Sequence, residues 1–185
     1  VYLETLGGLV RSKVVDKGNA VTVDMGAVRF NSSVIPVRGE EREVLNEPIE
    51  FEDVTFRFSA ATIGNPHCVI LTDKLSKALA TTYGTRIENE PRFPNRTNVQ
   101  FLTVADRTNL HIEIWERGAG YTLASGSSAC ASAAVARRLG LCETNVTVHM
   151  PGGDLDVQLD ADYRAVMTGG VTPVCTGTIA SGFLK

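Results

Sequence analysis

The stretch "SACASAAVARRLG", residues 128–140, decides the fold, because it is a long helical pattern in a chain whose other patterns are mostly strands. Arg137 and Arg138 lie in its last turn, where the helix dipole favours cations, and Gly140 is a typical helix stop. We predict a helix from about Ser127 to Gly140. Its alanine and serine side chains make the helix slim, so that strands can approach it closely.

Strand patterns lie on both sides of this helix in the sequence. They are alternating or short apolar runs that end in turn residues: "NAVTVDMG" (19–26), "VTFRFSAAT" (54–62), "HCVILT" (67–72), "NLHIEIWER" (109–117), "NVTVHM" (145–150), "DLDVQLD" (154–160) and "YRAVMTG" (163–169). A second helix is predicted from near Asp73, whose carboxylate can cap it, to Gly84. The simplest packing is an antiparallel, barrel-like sheet around the small-residue helix, which makes the fold class α+β.

The composition is that of an ordinary globular protein. Hydrophobic residues make up 43% of the 185 residues and charged residues 21%, and the mean hydropathy is +0.02. The net charge of -3 gives no reason to expect a nucleic acid as partner. No run of about 18 apolar residues indicates a membrane span. No signal-peptide pattern opens the chain, so we expect a cytoplasmic location.

The four cysteines are Cys68, Cys130, Cys142 and Cys175, and none of them forms a CxxC pair. Their spacing suits neither a zinc site nor a disulfide scaffold. We therefore expect free, mostly buried thiols in a reducing compartment, and no bound metal.

Two loops carry candidate polar groups. "IGNPHCV" (63–69) is either a plain turn or a loop tip that presents the amide of Asn65, with His67 close by. A lone histidine is more often structural than catalytic. "FPNRTNVQF" (93–101) is by default a solvated loop, but Asn98 comes immediately before an apolar run. Asn98 is therefore the residue of this loop that we expect to point into a cleft.

Two further segments combine charge with a helix start. In "WERGAG" (115–120), Glu116 and Arg117 are either a surface pair worth about 0–1 kcal/mol or recognise the ammonium and the carboxylate of an amino acid. In "TLASGSSAC" (122–130), the backbone N–H groups of Gly126, Ser127 and Ser128 offer a carboxylate or phosphate site, or Ser127 or Ser125 simply caps the helix. A serine nucleophile is disfavoured, because no G-x-S-x-G motif is present.

In this order and spacing, these motifs resemble those of the diaminopimelate epimerase family. The motifs are "GNPH" (64–67), the asparagine before a V-x-F segment, and "ERGAGYTLASG" (116–126). The resemblance extends from "VDMG" (23–26) to "VCTGTIA" (174–180). It implies a cofactor-independent isomerase that converts LL- to meso-diaminopimelate, a precursor of lysine and peptidoglycan. In this family two cysteines on opposite faces of the α-carbon remove and return its proton.

The resemblance also implies two similar lobes, each a barrel-like sheet around a central helix, with the active site between them. Residues 1–24 are then the remnant of a first lobe, residues 25–174 a complete second lobe, and residues 175–185 a C-terminal strand that returns toward the first. The expected partners are the missing first lobe or a second chain, including a second copy in a homodimer, because exposed apolar strands favour association.

Most of the family's substrate-binding positions are matched in this sequence. The resemblance implies that four residues bind the distal amino-acid end of a diaminopimelate-like substrate: Asn65, Asn98, Glu116 and Arg117. It implies that the amides of Gly126 and Ser127 hold the reacting carboxylate. His67 and Glu116 are expected near the reacting centre.

The catalytic thiols are not matched. Ser125 stands where the family has its second catalytic cysteine, and no cysteine of this chain matches the first, which belongs to a GNG-x-RC-type motif upstream of Val1. A serine hydroxyl is a far weaker acid than a thiol. A helix end supplies about 0.3–1 kcal/mol, less than the 1.36 kcal/mol of one pKa unit. Cys130 lies more than one turn inside the helix and does not replace Ser125, so we expect the isolated chain to be inactive.

Two other functions stay open at this stage. A related isomerase can use Glu116 as its base and keep the fold. A non-catalytic amino-acid-binding or assembly module, derived from an epimerase that lost its thiols, is the alternative from another functional class.

Overall fold

The computed structural model describes residues 1–5 and 8–183, which form two α-helices and twelve strands. The helices are α1 (Lys77–Glu88) and α2 (Gly126–Arg138). The strands are β1 (Tyr2–Thr5), β2 (Gly8–Val15), β3 (Ala20–Ala27), β4 (Glu47–Glu50), β5 (Thr55–Thr62), β6 (Pro66–Leu71), β7 (Asn98–Val104), β8 (Asn109–Glu116), β9 (Gly120–Thr122), β10 (Asn145–Met150), β11 (Gly153–Leu159) and β12 (Arg164–Gly170).

The strands form one mixed sheet in the order β1-β2-β3-β12-β11-β10-β8-β7-β6-β5-β4, with β9 paired to β8. The sheet was predicted to be antiparallel, but the pairs β6–β7 and β8–β10 are parallel. The reason is that α1 lies between β6 and β7 in the chain, and α2 lies between β8 and β10, so each helix serves as the crossover that a parallel pair requires. The sheet is not closed, because β1 and β4 are its two edges.

Helix α2 lies in the concave side of this sheet, as the small-residue pattern predicts. Residues 128–136 are buried, and the helix contacts strands β5 to β8 and β10 to β12. Leu110, Ile112 and Ile114 of β8 all belong to the core around it. The α+β class and the sheet wrapped around a central helix are therefore confirmed.

Helix α1 packs on the opposite face of the sheet and differs from its prediction at both ends. It begins at Lys77 because Ser76 is the N-cap, whose Oγ accepts a hydrogen bond from the N–H of Leu79 at 3.1 Å. It continues through Gly84 because that glycine is a packing residue and not a stop. A Cβ atom at Gly84 would lie only 2.4 Å from Cγ of Trp115.

The two ends of the chain carry much exposed apolar surface. Leu9 on β2 is 68% exposed and Val174 is 94% exposed. Residues 175–180 have no assigned secondary structure and residues 181–183 form a turn, and residues 184 and 185 lie outside the described residues. The C-terminal strand that returns toward a first lobe stays a prediction. Within the described ranges, neither helix is long and apolar enough to cross a membrane.

Candidate functional site

The start of α2 is the anchor of the candidate site. Ser125 is the N-cap residue, with extended φ and ψ of -156° and 123°, but its side chain makes no capping hydrogen bond. The first N–H groups of a helix have no partner inside it, so the amides of Gly126 and Ser127 are available to an anion. Both residues and Ser125 are half-buried.

Gly126 allows this helix start to approach the sheet closely. A Cβ atom at Gly126 would lie 2.6 Å from Sδ of Met167 on β12. On the other side, the N–H of Gly152 donates to the carbonyl of Leu123 at 2.8 Å. A pocket of about 450 Å³ opens between the glycine turn at 152–153 and Ser125.

The GNPH segment is joined to this helix start by Asn65. Gly64 has a φ of 110°, which suits glycine, and the chain then enters β6 at Pro66. Nδ2 of Asn65 donates to Oγ of Ser127 at 3.5 Å, and Oδ1 of Asn65 lies 3.1 Å from Nε2 of His67. The structure therefore brings together two motifs that are about sixty residues apart in sequence.

His67 supports the site from inside the core. Its imidazole is fully buried, and this burial lowers its pKa to about 4, with the side chain of Gln100 opposing the shift and the charge of Arg117 adding to it. The imidazole is therefore neutral at pH 7. Asn65 connects it to the half-buried helix start.

Asn98 lies in a strand and not in the solvated loop that was predicted. It is the first residue of β7, beside His67 of β6, and it is 6% exposed. Its Nδ2 donates to the carbonyl of Pro66 at 2.9 Å, and its Oδ1 accepts from the N–H of Arg117 at 3.0 Å. Both ends of its amide are thus occupied by backbone groups, and Asn98 fixes the position of the Glu116–Arg117 turn.

Glu116 and Arg117 lie at the turn between β8 and β9 and do not pair with each other. The guanidinium of Arg117 donates to the carbonyl of Asn95 at 2.8 Å. Within residues 1–5 and 8–183, the Glu116 carboxylate has neither a hydrogen bond nor an ion pair. The surface ion pair considered from the sequence is therefore absent from the described structure, and the Glu116 carboxylate is available to a ligand.

Glu88, at the end of α1, is a site residue that sequence reasoning missed. Its buried carboxylate accepts hydrogen bonds from Nε1 of Trp115 at 2.8 Å, from the N–H of Gly118 at 2.9 Å, and from Arg96 at 2.9 Å. It therefore holds the Glu116–Arg117 turn on both sides. The available signal was an acidic residue in the last turn of a helix, where the dipole disfavours it.

The four cysteines are not among the residues of the candidate site. Cys68, Cys130 and Cys142 are buried, and Cys175 is exposed. Burial raises the pKa of Cys130 to about 12 and that of Cys142 to about 11, and it also raises the pKa of Cys68. The buried thiols are therefore protonated at neutral pH.

The chain is similar to known epimerases along nearly all of its length. The sequence profile of the family "Diaminopimelate epimerase" matches residues 59–174. Diaminopimelate epimerase 2 of Nostoc sp. is 52% identical over 179 residues, which cover 97% of this chain and 63% of that protein. The diaminopimelate epimerase of Bacillus licheniformis is 43% identical over 181 residues, which cover 95% and 64%. The chain thus spans a little less than two thirds of the length of these relatives.

Solved structures show the same fold at low sequence identity. A probable proline racemase from Agrobacterium radiobacter superposes with a TM-score of 0.68 at 16% identity, covering 99% of this chain and 61% of that one. A hydroxyproline epimerase from Agrobacterium vitis gives a TM-score of 0.65 at 19% identity, covering 94% and 57%. These structures support the fold alone, whereas the family profile and the close relatives decide the family. The chain belongs to the diaminopimelate epimerase family.

Proposed function

We propose that this chain supplies the amino-acid-binding half of an epimerase site for a diaminopimelate-like substrate. The observation that carries the proposal is the carboxylate of Glu116 next to Arg117, which has no partner among the described residues and lies on a turn that Asn98 and Glu88 hold in place. A carboxylate and a guanidinium recognise the ammonium and carboxylate of one amino-acid head. Residues 1–24 as a first-lobe remnant and 25–174 as a second lobe are part of this proposal.

The start of α2 holds the reacting carboxylate in this proposal. The amides of Gly126 and Ser127 donate to its oxygens, and the same positive field stabilises the charge that develops when the α-proton leaves. Asn65 adds a side-chain amide at this point. Inversion then needs two bases on opposite faces of the α-carbon, one of them from the lobe or second chain that completes the site.

Ser125 occupies the position of one of these two bases. Its hydroxyl is too weak an acid for thiolate-like chemistry, and the helix end cannot compensate, because it supplies only about 0.3–1 kcal/mol of dipole stabilisation. We therefore propose that the chain binds the substrate but does not exchange its α-proton. A cysteine at this position restores the base.

Isothermal calorimetry and proton exchange in D₂O test this proposal. The chain should bind meso-diaminopimelate, and Arg117→Lys and Glu116→Gln should each weaken binding about 10-fold or more. Arg117→Lys removes the bidentate guanidinium geometry, and Glu116→Gln removes the charge from hydrogen bonds that are worth about 1.5–3 kcal/mol when charged. Arg107→Lys is the matched control, because Arg107 pairs with exposed Glu143 elsewhere. Absence of binding, or α-proton exchange by the Ser125 chain, would contradict the proposal.

Two observations favour other functions, and one further variant separates them. Ser125 favours a non-catalytic amino-acid-binding module, and the unpartnered Glu116 favours an isomerase that uses this carboxylate as base. If Ser125→Cys gives α-proton exchange, the epimerase site stands. If Ser125→Cys stays inert although substrate binds and the lobe that completes the site is supplied, the binding module is favoured. Turnover that Glu116→Gln abolishes without loss of binding would favour the related isomerase.

A further inference from the structure

The turn between β10 and β11 contacts the chain segment that leads into Ser125. Met150 pairs with Gly153 across the hairpin, which leaves a two-residue turn that ends in Gly152. The N–H of Gly152 donates to the carbonyl of Leu123 at 2.8 Å. Gly152 and Ser125 also line the same pocket of about 450 Å³. The hairpin therefore holds the backbone two residues before Ser125.

Gly152 is required at this place by space and not by its backbone conformation. Its φ lies outside the left-handed region, so other residues can adopt it. A Cβ atom at Gly152 would lie 3.0 Å from the carbonyl oxygen of Leu123 and 3.1 Å from Cβ of Ala124. The neighbouring Gly153 differs, because its φ is 133° and a Cβ atom there would meet no described atom within 4 Å. Of the two glycines, Gly152 is the one that a close contact requires.

The contact at Gly152 is rigid because the atoms that face it belong to the backbone or are bonded directly to it. The carbonyl oxygen of Leu123 and the Cβ atom of Ala124 cannot rotate away, as the end of a long side chain can. Close-packed regions of a protein respond even to one added methyl group. A side chain at Gly152 would therefore move either the segment 123–125 or the hairpin by a few tenths of an ångström.

A second contact lies on the other side of Ser125. Met167 of β12 covers Gly126, where a Cβ atom would lie 2.6 Å from its Sδ and 2.8 Å from its Cε. These atoms are at the flexible end of a methionine side chain, which adapts to gaps of different shapes. Residue 125 thus lies between a flexible contact at Gly126 and a rigid contact at Ala124. The rigid contact, with Gly152, restricts where the backbone of residue 125 can lie.

We infer that Gly152 is a positioning residue for the side chain at position 125. Its contact with the two preceding residues fixes where this side chain leaves the backbone, and hence its distance from the amides at the start of α2. The role rests on the proposed function in so far as position 125 is that of a base. Reacting atoms must approach to about 3–3.5 Å, and a displacement of about 1 Å can lower a rate about 100-fold. The β10–β11 hairpin thereby helps to set the geometry of proton transfer.

The reactivity of a thiol at position 125 measures this placement without any substrate. Ser125→Cys supplies the thiol, and Cys175→Ser removes the exposed cysteine, while the other three cysteines are buried and protonated. Alkylation by iodoacetamide reports the thiolate, and a helix N-terminus lowers the pKa of a thiol below about 8.5. We expect the alkylation rate to have its midpoint below about pH 8.5. A midpoint at or above this value would show that the side chain is not held against the amides, and would overturn the inference.

Gly152→Ala in this background should raise the midpoint and slow alkylation at pH 7 about 3-fold or more, because the potential of a helix end falls off within its first turn. An unchanged or lower midpoint would refute the positioning role. A merely structural glycine would lower the resistance to urea and leave the midpoint unchanged. Gly170→Ala is the matched control and should not shift the midpoint. Gly170 lines the same pocket, but a Cβ atom there would lie 3.9 Å from the carbonyl oxygen of Asn19.

Hydrogen exchange in the unaltered chain decides the contact even if Gly152→Ala does not fold. The N–H of Gly152 lies in an exposed turn, and we expect it to exchange at least about 10-fold more slowly than in the unfolded chain, because it donates to Leu123. Exchange at the unfolded rate would remove the contact and overturn the inference. If the chain does not bind meso-diaminopimelate, the proposed function fails, while the thiol midpoint still decides the role of Gly152.

Discussion

At the residue scale, the site separates the atoms that hold a ligand from the atom expected to react. Gly126 and Ser127 offer backbone amides, which do not depend on the side chain at position 125. Among the described residues, the side chain of Ser125 makes no capping hydrogen bond to the helix. A cysteine can therefore replace Ser125 without the loss of a capping hydrogen bond. Substitution of Ser125 therefore changes the reacting group and leaves the backbone amides of Gly126 and Ser127 in place.

His67 makes the stability of the chain depend on pH. Its pKa is about 4 in the folded chain and about 6.5 when exposed, so the unfolded chain binds more protons between these values. We expect this group to cost nothing above pH 6.5 and to lower the free energy of unfolding by about 3 kcal/mol as the pH falls to 4. Urea titrations across this range measure the slope.

The comparison chain for this measurement is His67→Gln, which has no titrating group at that position. It should lose the part of the slope between pH 6.5 and 4. Asp106, whose pKa is lowered to about 2 by the N–H and hydroxyl of Thr108, titrates below this range in both chains. Equal slopes for wild type and variant would show that His67 is solvated.

At the element scale, helix α1 depends on a glycine in its middle. Gly84→Ala should destabilise the chain, although alanine favours helices by about 1 kcal/mol, because overpacking against Trp115 typically costs about 1–3 kcal/mol. Urea unfolding measures the change. Thr82→Ala, on the exposed side of the same helix, is the control and should be neutral or slightly stabilising. A stabilised Gly84→Ala chain would mean that Trp115 moves aside at little cost.

The turn that carries Glu116 depends on the carboxylate at the end of α1. Glu88→Gln removes the charge from three hydrogen bonds, and charged hydrogen bonds are about twice as strong as neutral ones. We expect amide hydrogen exchange at Gly118 to become about 10-fold faster or more. Glu90→Gln is the control, because Glu90 bonds to Arg92 and not to this turn. Unchanged exchange at Gly118 would remove Glu88 from the support of the site.

Sequence patterns predicted α2 and most of the sheet strands, because alternation and small-residue periodicity are local signals. They failed at α1, since both Asp73 and Ser76 are good caps and only packing against Trp115 shows why Gly84 is internal. The parallel strand pairs were also missed, because pairing is set by distant parts of the chain.

The candidate site was predicted where its residues form motifs, and missed where they act from the interior. Asn65, Glu116 and Arg117 lie in loops with distinctive composition. Glu88 and Gln100 are single polar residues in otherwise ordinary patterns, and only burial and distances identify their partners. The loop pattern around Asn98 did not predict its two hydrogen bonds to backbone groups, and its contact with a ligand stays a prediction.

At the scale of the whole molecule, exposed apolar side chains concentrate at one edge of the sheet. Tyr2 and Leu3 of β1 and Leu9 and Val14 of β2 are all more than half exposed, and β1 has a free edge. Exposed apolar strand edges favour association. We expect the chain to associate as its concentration rises, and Leu9→Lys to reduce this association, as measured by sedimentation velocity.

The control for this prediction is Leu141→Lys. Leu141 is also an exposed leucine, at 36%, but it lies just beyond α2 and far along the sequence from the β1–β2 edge. Its replacement should leave association unchanged. A wild-type chain that stays monomeric at all concentrations would show that this edge is protected by its own twist or charge.

The burial of α2 has an electrical consequence for the whole domain. A helix on a protein surface has its dipole screened by water along its length, whereas α2 is enclosed by strands over residues 128–136. The interior around the helix therefore screens its dipole less than water would, up to the half-buried N-terminal end. Because the sheet keeps water and ions away from the helix, the positive potential at Ser125 is screened less than at the end of a helix on a protein surface. High salt should therefore weaken anion binding at Ser125 less than at such an exposed helix.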